Sequence, residues 1–172
     1  MSSIKIEPLN NTLQTREVLS EILVEVVANG GSVSFMHPLA LEEANAFWDG
    51  SLAAAEKGER IVLGAFDGDI LAGTVTLLLS LPPNQPHRAE IAKMMTRISY
   101  RGRGIAKALM QVAERLAIEQ KKTLLVLDTA EEDGASALYE KLGFTLTGVI
   151  PDFALKPHGG LTGTMVYWKR LS

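Results

Sequence analysis

The segment "TLLVLDT" at residues 123–129 constrains the fold most, because it is apolar on both faces until Asp128. Such a run is typical of a strand buried inside a sheet that helices cover on both sides. Just before it, apolar residues recur at helical spacing from Ile105 to Leu116 and indicate an amphipathic helix. The segment "RAEIAKMMT" at residues 88–96 has the character of another strand. Together these patterns predict a mixed α/β domain with helices on a central sheet.

The remaining patterns extend this sheet in the order β-α-α-β-β-β-α-β-α-β-β. The turn Asp67-Gly68-Asp69 joins two β-rich runs as a hairpin. The predicted strands are residues 4–8, 60–66, 70–80, 88–96, 123–129, 144–150 and 161–171, and the predicted helices are 11–28, 41–57, 104–116 and 134–143. A loop is predicted between the last two strands, over residues 151–160.

Composition limits the class of protein. The chain has 172 residues, 47% of them apolar, which suits one domain over residues 1–172 with a sizeable core. It has no cysteine, which excludes disulfides, thiolate metal sites and thiol nucleophiles. A net charge of −3 argues against nucleic acid or an anionic membrane as a general partner. No secretion signal or membrane-spanning run is apparent, so we expect a cytoplasmic protein.

The turn "YRGRGIAKALM" at residues 100–110 is the strongest functional feature. Glycines let the main chain approach a ligand closely, and a helix N-terminus has unpaired N–H groups and partial positive charge. The turn therefore suits a phosphate, although a tight turn with solvated arginines is an equal alternative from spacing alone. The Walker pattern is absent, and Lys107 breaks the dinucleotide-binding pattern that would begin at Gly102.

Arg101, Gly104 and Ala106 match the pattern [QR]-x-x-G-x-[GA], and "ALYEKLGF" follows at residues 137–144. In these two blocks, and in its order of elements, the chain resembles the GNAT family, the Gcn5-related N-acetyltransferases. The segments "GGSVSFM", "RAEIAKMM" and "LLVLDT" look like the tabtoxin-resistance branch of that family. The resemblance implies about seven strands and four helices, with a splayed gap between strands 4 and 5.

The resemblance also implies a ligand and its contacts. Acetyl-CoA is expected as cosubstrate, with no metal, in the gap between residues 88–96 and 123–129. The pyrophosphate would lie on the turn, and the pantetheine arm would pair with the preceding strand edge as an added strand does. The expected contacts are Met94, Met95, Thr96, Arg101, Gly102, Arg103, Gly104, Ile105 and Ala106. Many family members have an asparagine seven residues before the tyrosine of the second block, where this chain has Glu132.

Three residues are expected to carry the chemistry. The resemblance places a general acid at Tyr139, which would protonate the departing thiolate; a core tyrosine is the alternative. An alkylamine with a pKa of roughly 10 must lose a proton before it attacks, so a base is needed. Glu90 and Asp128 are the candidates, because a carboxylate within a sheet loses hydration and becomes a stronger base. An ion pair with Arg88 or Lys93 is the alternative for either carboxylate.

The acceptor is expected to be a small amine, amino-acid-like or toxin-like, with Asp128, Phe35 and His158 as candidate contacts. A protein or peptide acceptor, or a CoA-binding module without catalysis, are the alternatives. The three histidines lack metal-ligand spacing and are expected at the surface. The chain is expected to be a monomer or a homodimer, with the C-terminal strand as a pairing edge.

Overall fold

A computed structural model describes residues 3–132 and 134–172. Its elements are β1 (Ile4–Pro8), α1 (Leu13–Ala28), α2 (Leu41–Glu56), β2 (Arg60–Asp67), β3 (Ile70–Leu78), β4 (Arg88–Thr96), a 3₁₀ turn (Ile98–Tyr100), α3 (Ile105–Glu119), β5 (Leu124–Ala130), α4 (Ser136–Lys141), β6 (Thr145–Leu155) and β7 (Leu161–Arg170). The predicted order of elements is confirmed.

The seven strands form one mixed sheet in the order β1-β2-β3-β4-β5-β7-β6. All neighbouring strands are antiparallel except β4 and β5, which are parallel. The predicted gap between these two strands is present, because their pairing covers only Arg88–Glu90 against Leu124–Val126. Beyond Glu90 the facing edges of β4 and β5 are unpaired with each other.

Two apolar cores lie on opposite faces of the sheet. One is built around α3 and contains Ile105, Leu109 and Leu125. The other is built around α1 and α2 and contains Leu23 and Trp48. Each helix buries one apolar stripe against the strands, which is the arrangement that the helical spacing predicted.

Helix α1 begins two residues later than predicted. Thr12 caps the helix, since its side-chain oxygen accepts a hydrogen bond from the Thr15 main-chain N–H at 3.1 Å. Such a cap satisfies one of the N–H groups that a helix start leaves unpaired.

The end of the sheet differs more from the prediction. The first half of the predicted loop over residues 151–160 is strand, because β6 continues to Leu155. The register shifts between Ile150 and Ala154, where Pro151 has no N–H to donate and Asp152 has φ of 53°. The expected pairing edge is also corrected: β7 lies between β5 and β6, so β6 is the edge strand.

Candidate active site

A cavity of about 900 Å³ opens where β4 and β5 separate. Its walls come from both strands, from the turn before α3, from α4, from the segment between α1 and α2, and from β6 and β7. The chain thus brings segments from both ends of the sequence to one opening in the sheet.

The turn before α3 forms one end of the cavity. Gly102 and Gly104 have φ of 77° and 78°, the left-handed region in which a side chain is strained. No side chain of residues 3–132 or 134–172 caps α3, whose N-cap residue is Gly104. In the part of the chain that the structure describes, the main-chain N–H groups of residues 102–107 have no protein acceptor. Five of these six residues, all except Arg103, line the cavity, so main-chain donors and the positive end of a helix lie at this end of it.

Basic side chains surround the same turn. Arg101 and Lys107 line the cavity. The Arg103 guanidinium lies 4.8 Å from the Tyr100 ring centroid, and the Tyr100 hydroxyl donates to Asp67 Oδ2 at 2.8 Å. That hydrogen bond is the main cause that raises the pKa of the Tyr100 phenol. Tyr100 thus orients Arg103, whose side chain stacks beside the cavity.

The end of β4 forms the long wall. Met95 pairs with Thr74 and Thr96 with Gly73 on the β3 side, while the edge toward β5 has no strand partner. The Met95 side chain is 2% exposed and belongs to the α1–α2 core, so its contribution to the cavity is mainly its backbone. Met94 and Thr96 also line the cavity.

Tyr139 lines the cavity from α4 and is 4% exposed. Its ring centroid lies 6.0 Å from that of Phe144 and 5.8 Å from that of Tyr167. Lys169 holds the end of α4 in place, because its ammonium donates a hydrogen bond to the Leu142 carbonyl at 2.7 Å. These contacts fix the position of the phenol at the cavity wall. A fixed phenol is compatible with Tyr139 as a general acid and with Tyr139 as a core residue.

The two candidate bases differ in their partners. Arg88 Nη1 lies 2.7 Å from Glu90 Oε1, so the ion pair weighed for Glu90 is present. Asp128 Oδ2 accepts a hydrogen bond from the Thr164 hydroxyl at 2.8 Å and has no cation at ion-pair distance among the described residues. The expected dehydration is not found, because the Glu90 side chain is 37% exposed and Asp128 is exposed.

Lys93 is a cavity residue that sequence reasoning named only as an ion-pair partner. Its ammonium donates to the Ser34 hydroxyl at 3.2 Å and lies 5.6 Å from the Phe47 ring centroid. Burial lowers the pKa of the Lys93 ammonium, Asp128 opposes that shift, and Arg60 adds to it. A lysine between the apolar residues Ala92 and Met94 of a strand was the available signal, but nothing in the sequence indicated its backbone conformation.

The expected acceptor contacts from loops do not line the cavity. Phe35 packs edge-on against Phe47 at 5.4 Å and does not line the cavity. His158 is also outside the lining; its Nε2 lies 2.9 Å from the Ala28 carbonyl oxygen, and its ring is 4.3 Å from that of His37. The loop after β6 thereby docks on the segment after α1.

Glu132 lines the cavity at the position where many resembling proteins have asparagine. It forms an ion pair with Lys156 at 3.1 Å.

Within the described residues, no group of three or more His, Cys, Asp or Glu side chains is arranged to hold a metal ion. None of the helices there combines the length and apolar character needed to cross a bilayer.

Residues 31–144 match the model of the Acetyltransferase (GNAT) family, and the protein belongs to that family. It is similar to N-acetyltransferase 8F1 of Rattus norvegicus, with 33% identity over 101 residues, which are 58% of this chain and 41% of that protein. The chain therefore spans about two fifths of the length of the curated relatives it matches.

Solved structures share the fold over nearly the whole chain. An N-acetyltransferase from Staphylococcus aureus Mu50 has a TM-score of 0.84 at 19% identity, covering 99% of this chain and 100% of that one. The yncA protein of Salmonella typhimurium, solved with its cofactor acetyl-CoA, has a TM-score of 0.80 at 17% identity, covering 98% and 94%. At these identities the likeness establishes the fold, and the bound ligand is a property of yncA.

Proposed function

We propose that this chain is an acetyl-CoA-dependent N-acetyltransferase that transfers acetyl directly to the primary amine of a small, amino-acid-like or toxin-like molecule. One observation carries the proposal. The N–H groups of residues 102–107 have no acceptor among the described residues, and all of these residues except Arg103 line the cavity that also contains Tyr139 and Asp128. An anion-binding end and a set of proton-transfer groups thus share one opening in the sheet.

The cavity fits a CoA ester in two respects. A Cβ added at Gly102 or Gly104 would meet no atom within 4 Å, so the space above the turn is free for phosphate oxygens. The edge from Met94 to Thr96 has main-chain groups free for an extended amide-containing arm. Arg101 and Lys107 add positive charge at the turn. Bound acetyl-CoA would supply the acetyl group as a thioester.

Tyr139 is proposed as the general acid. Its hydroxyl holds a proton that a departing thiolate needs, and its buried ring gives that proton a fixed position. The ring contacts with Phe144 and Tyr167 restrict rotation of the phenol. Positioning of this kind contributes to rate because both reactants meet a prearranged group.

Asp128 is the preferred base. Its carboxylate has no cation at ion-pair distance in the described part of the chain, whereas Glu90 is neutralised by Arg88. The Thr164 hydroxyl fixes Asp128 Oδ2 and leaves Oδ1 to accept a proton from the acceptor ammonium, directly or through water. Glu90 contributes negative charge at the same wall, which favours an ammonium acceptor.

Calorimetry with CoA, followed by thiol release from acetyl-CoA against a panel of amines, tests the proposal. We expect CoA binding and turnover with small amines. Asp128→Asn should lower kcat by about 10²-fold or more with CoA affinity nearly unchanged. Glu90→Gln should lower it less, and Asp69→Asn in the exposed β2–β3 turn is the matched control.

Each other outcome has a defined meaning. Turnover only with peptides indicates a protein acceptor, and tight CoA binding without turnover indicates a binding module. Failure to bind CoA or its esters overturns the proposal. Activity on tabtoxin-like amines would show that the chain resembles the tabtoxin-resistance branch in function as well as in sequence.

Cellular location and assembly complete the proposal. The cytoplasmic location is proposed from composition, and fractionation of producing cells tests it.

For a homodimer, β6 is the preferred edge, because Val149, Ile150 and Phe153 on this strand are exposed. Sedimentation velocity distinguishes a monomer from a homodimer, and Val149→Lys should abolish a β6-mediated dimer.

A further inference from the structure

Lys93 lies at an irregular position in β4. Ala92 pairs with Thr76 and Met95 with Thr74, so two residues of β4 stand opposite Val75 alone. This bulge gives Lys93 φ of 53°, a left-handed conformation that costs a non-glycine residue free energy. Strained backbone of this kind is retained where surrounding structure holds it, and it is concentrated at functional sites.

The Lys93 ammonium reaches a second strained residue. Its hydrogen-bond acceptor is the Ser34 hydroxyl at 3.2 Å, and Ser34 has φ of 79°. The charge also lies 5.6 Å from the centroid of the Phe47 ring. Among residues 3–132 and 134–172, no carboxylate oxygen lies within 4.0 Å of the ammonium. Within this part of the chain, the partly buried cation therefore has no counter-ion in direct contact.

The other charges along this wall are mostly neutralised. Glu90 is paired with Arg88, and Glu132 is paired with Lys156. Arg101 lies in the turn before α3, and Lys107 lies in the first turn of that helix. Asp128 and Lys93 carry opposite charges and both line the cavity. Each charge acts on the other, but the two side chains do not form a direct ion pair.

We infer that Lys93 is a specificity-determining residue that binds a carboxylate of the acceptor, so that the preferred acceptors are zwitterions with an amine directed to Asp128. This inference rests on the proposed function. The left-handed backbone at Ser34 and Lys93 fixes the position of the Lys93 ammonium. Lys93 is on β4, and Asp128 is on β5 across the gap. Binding a carboxylate supplies the missing counter-ion, and a charged hydrogen bond of this kind is selective for ligands that can make it.

A smaller cavity indicates which zwitterions to test first. It has a volume of about 170 Å³ and shares Glu90 and Asp128 with the main cavity. The remaining lining is largely apolar and includes Ile150, Phe153 and Val166. Amino acids with apolar side chains are therefore suitable first probes.

The test compares acceptors that differ only at the carboxylate. L-Leucine, L-leucinamide and 3-methylbutylamine are assayed with saturating acetyl-CoA, together with the same sets derived from valine, methionine and phenylalanine. We expect kcat/KM to be about 10- to 100-fold higher for the amino acid than for its amide, mostly through KM. A peptide N-terminus resembles the amide and is expected to be a poor acceptor for the same reason.

Variants assign the preference to Lys93. Lys93→Met should remove the discrimination between leucine and leucinamide while retaining turnover of the amide, and Lys93→Arg should keep a positive charge and part of the preference. Lys57→Met, at an exposed lysine after α2, is the matched control and should behave as the wild type. Calorimetry with CoA on each variant shows whether the cofactor end of the cavity is intact.

Turnover of amides and simple amines as efficient as that of amino acids overturns the inference and leaves the proposed function standing. A preference that persists in Lys93→Met, with CoA affinity unchanged, also overturns it. CoA binding without turnover of any acceptor, and without calorimetric binding of N-acetyl-L-leucine, counts against the inference as well. Absence of CoA binding, in contrast, overturns the proposed function itself.

Discussion

Gly73 on β3 lies directly under Ile105, the first residue of α3. A Cβ at Gly73 would be 2.9 Å from Ile105 Cγ2 and 2.9 Å from the Met95 carbonyl oxygen. The absence of a side chain there lets the start of α3 rest on the sheet, and the turn before α3 is positioned accordingly. The glycine therefore contributes to the site indirectly, through the position of Ile105.

Gly73→Ala should destabilise the protein, because neither neighbour can move without shifting backbone or a buried helix residue. We expect the free energy of unfolding to fall by about 1–3 kcal/mol, measured by urea denaturation. Gly50→Ala is the control, since a Cβ there meets no atom within 4 Å in the interior of α2. That variant should gain about 0.5–1 kcal/mol. A neutral Gly73→Ala would show that α3 does not need this close approach.

Ala106→Pro tests the main-chain donors of the turn. Proline removes one of the six N–H groups that have no acceptor among the described residues, but it is tolerated in the first turn of a helix. We expect the Kd for CoA, measured by calorimetry, to rise about tenfold, the equivalent of one charged hydrogen bond.

Glu42→Pro provides the matched control for this donor. Glu42 is the second residue of α2, is exposed, and lies outside the cavity, so its variant carries the same proline cost without loss of a ligand contact. An Ala106→Pro protein that is folded and binds CoA as tightly as the Glu42→Pro protein would contradict the phosphate assignment.

Tyr139→Phe tests the general acid. The phenylalanine ring keeps the packing against Phe144 and Tyr167 and removes only the hydroxyl. We expect kcat to fall by about 10²–10⁴-fold with little change in CoA affinity, measured by steady-state kinetics and calorimetry. Tyr167→Phe, a fully buried phenol outside the cavity lining, should retain its kcat. Equal kcat values for the two variants would return Tyr139 to a purely structural role.

The lowered pKa of Lys93 predicts a pH dependence for ligands that carry a carboxylate and no amine. The groups that face this ammonium are Asp128, Arg60, Ser34 and Phe47. Because burial lowers its pKa below 10.5, Lys93 loses its proton at a lower pH than an exposed lysine does. The protonated form binds the carboxylate, so affinity is full below the lowered pKa and falls above it.

Calorimetry with N-acetyl-L-leucine and the CoA-loaded protein measures this effect. Above the Lys93 pKa, the Kd should rise by about tenfold per pH unit. Lys93→Arg should show a flat profile over the same range, because a guanidinium stays protonated. A wild-type profile as flat as that of the arginine variant would show that Lys93 does not bind the ligand.

The regular elements were predictable because their residues repeat with the period of the structure. Strand β4 was predicted with its observed limits, and α3 followed from one apolar face that begins at Ile105. The Arg88–Glu90 ion pair was also foreseeable, since residues two apart in a strand share a face.

Features that depend on the meeting of separate segments were not predictable from local pattern. The gap after Glu90 was expected only through the family resemblance, because periodicity does not show where two parallel strands part. The bulge at Lys93 depends on the register with β3, and its partner Ser34 is 59 residues away. Strand β6 was shortened in the prediction because Pro151 and Asp152 read as a loop, whereas pairing with β7 continues past them.

The main-chain hydrogen bond from His37 to the Pro157 carbonyl, at 2.9 Å, joins the segment before α2 to the loop after β6. This hydrogen bond and the contact between the His37 and His158 rings couple the positions of the two segments. An insertion or deletion in either segment therefore displaces the other, and acceptor preference in this lineage should evolve by paired changes in both.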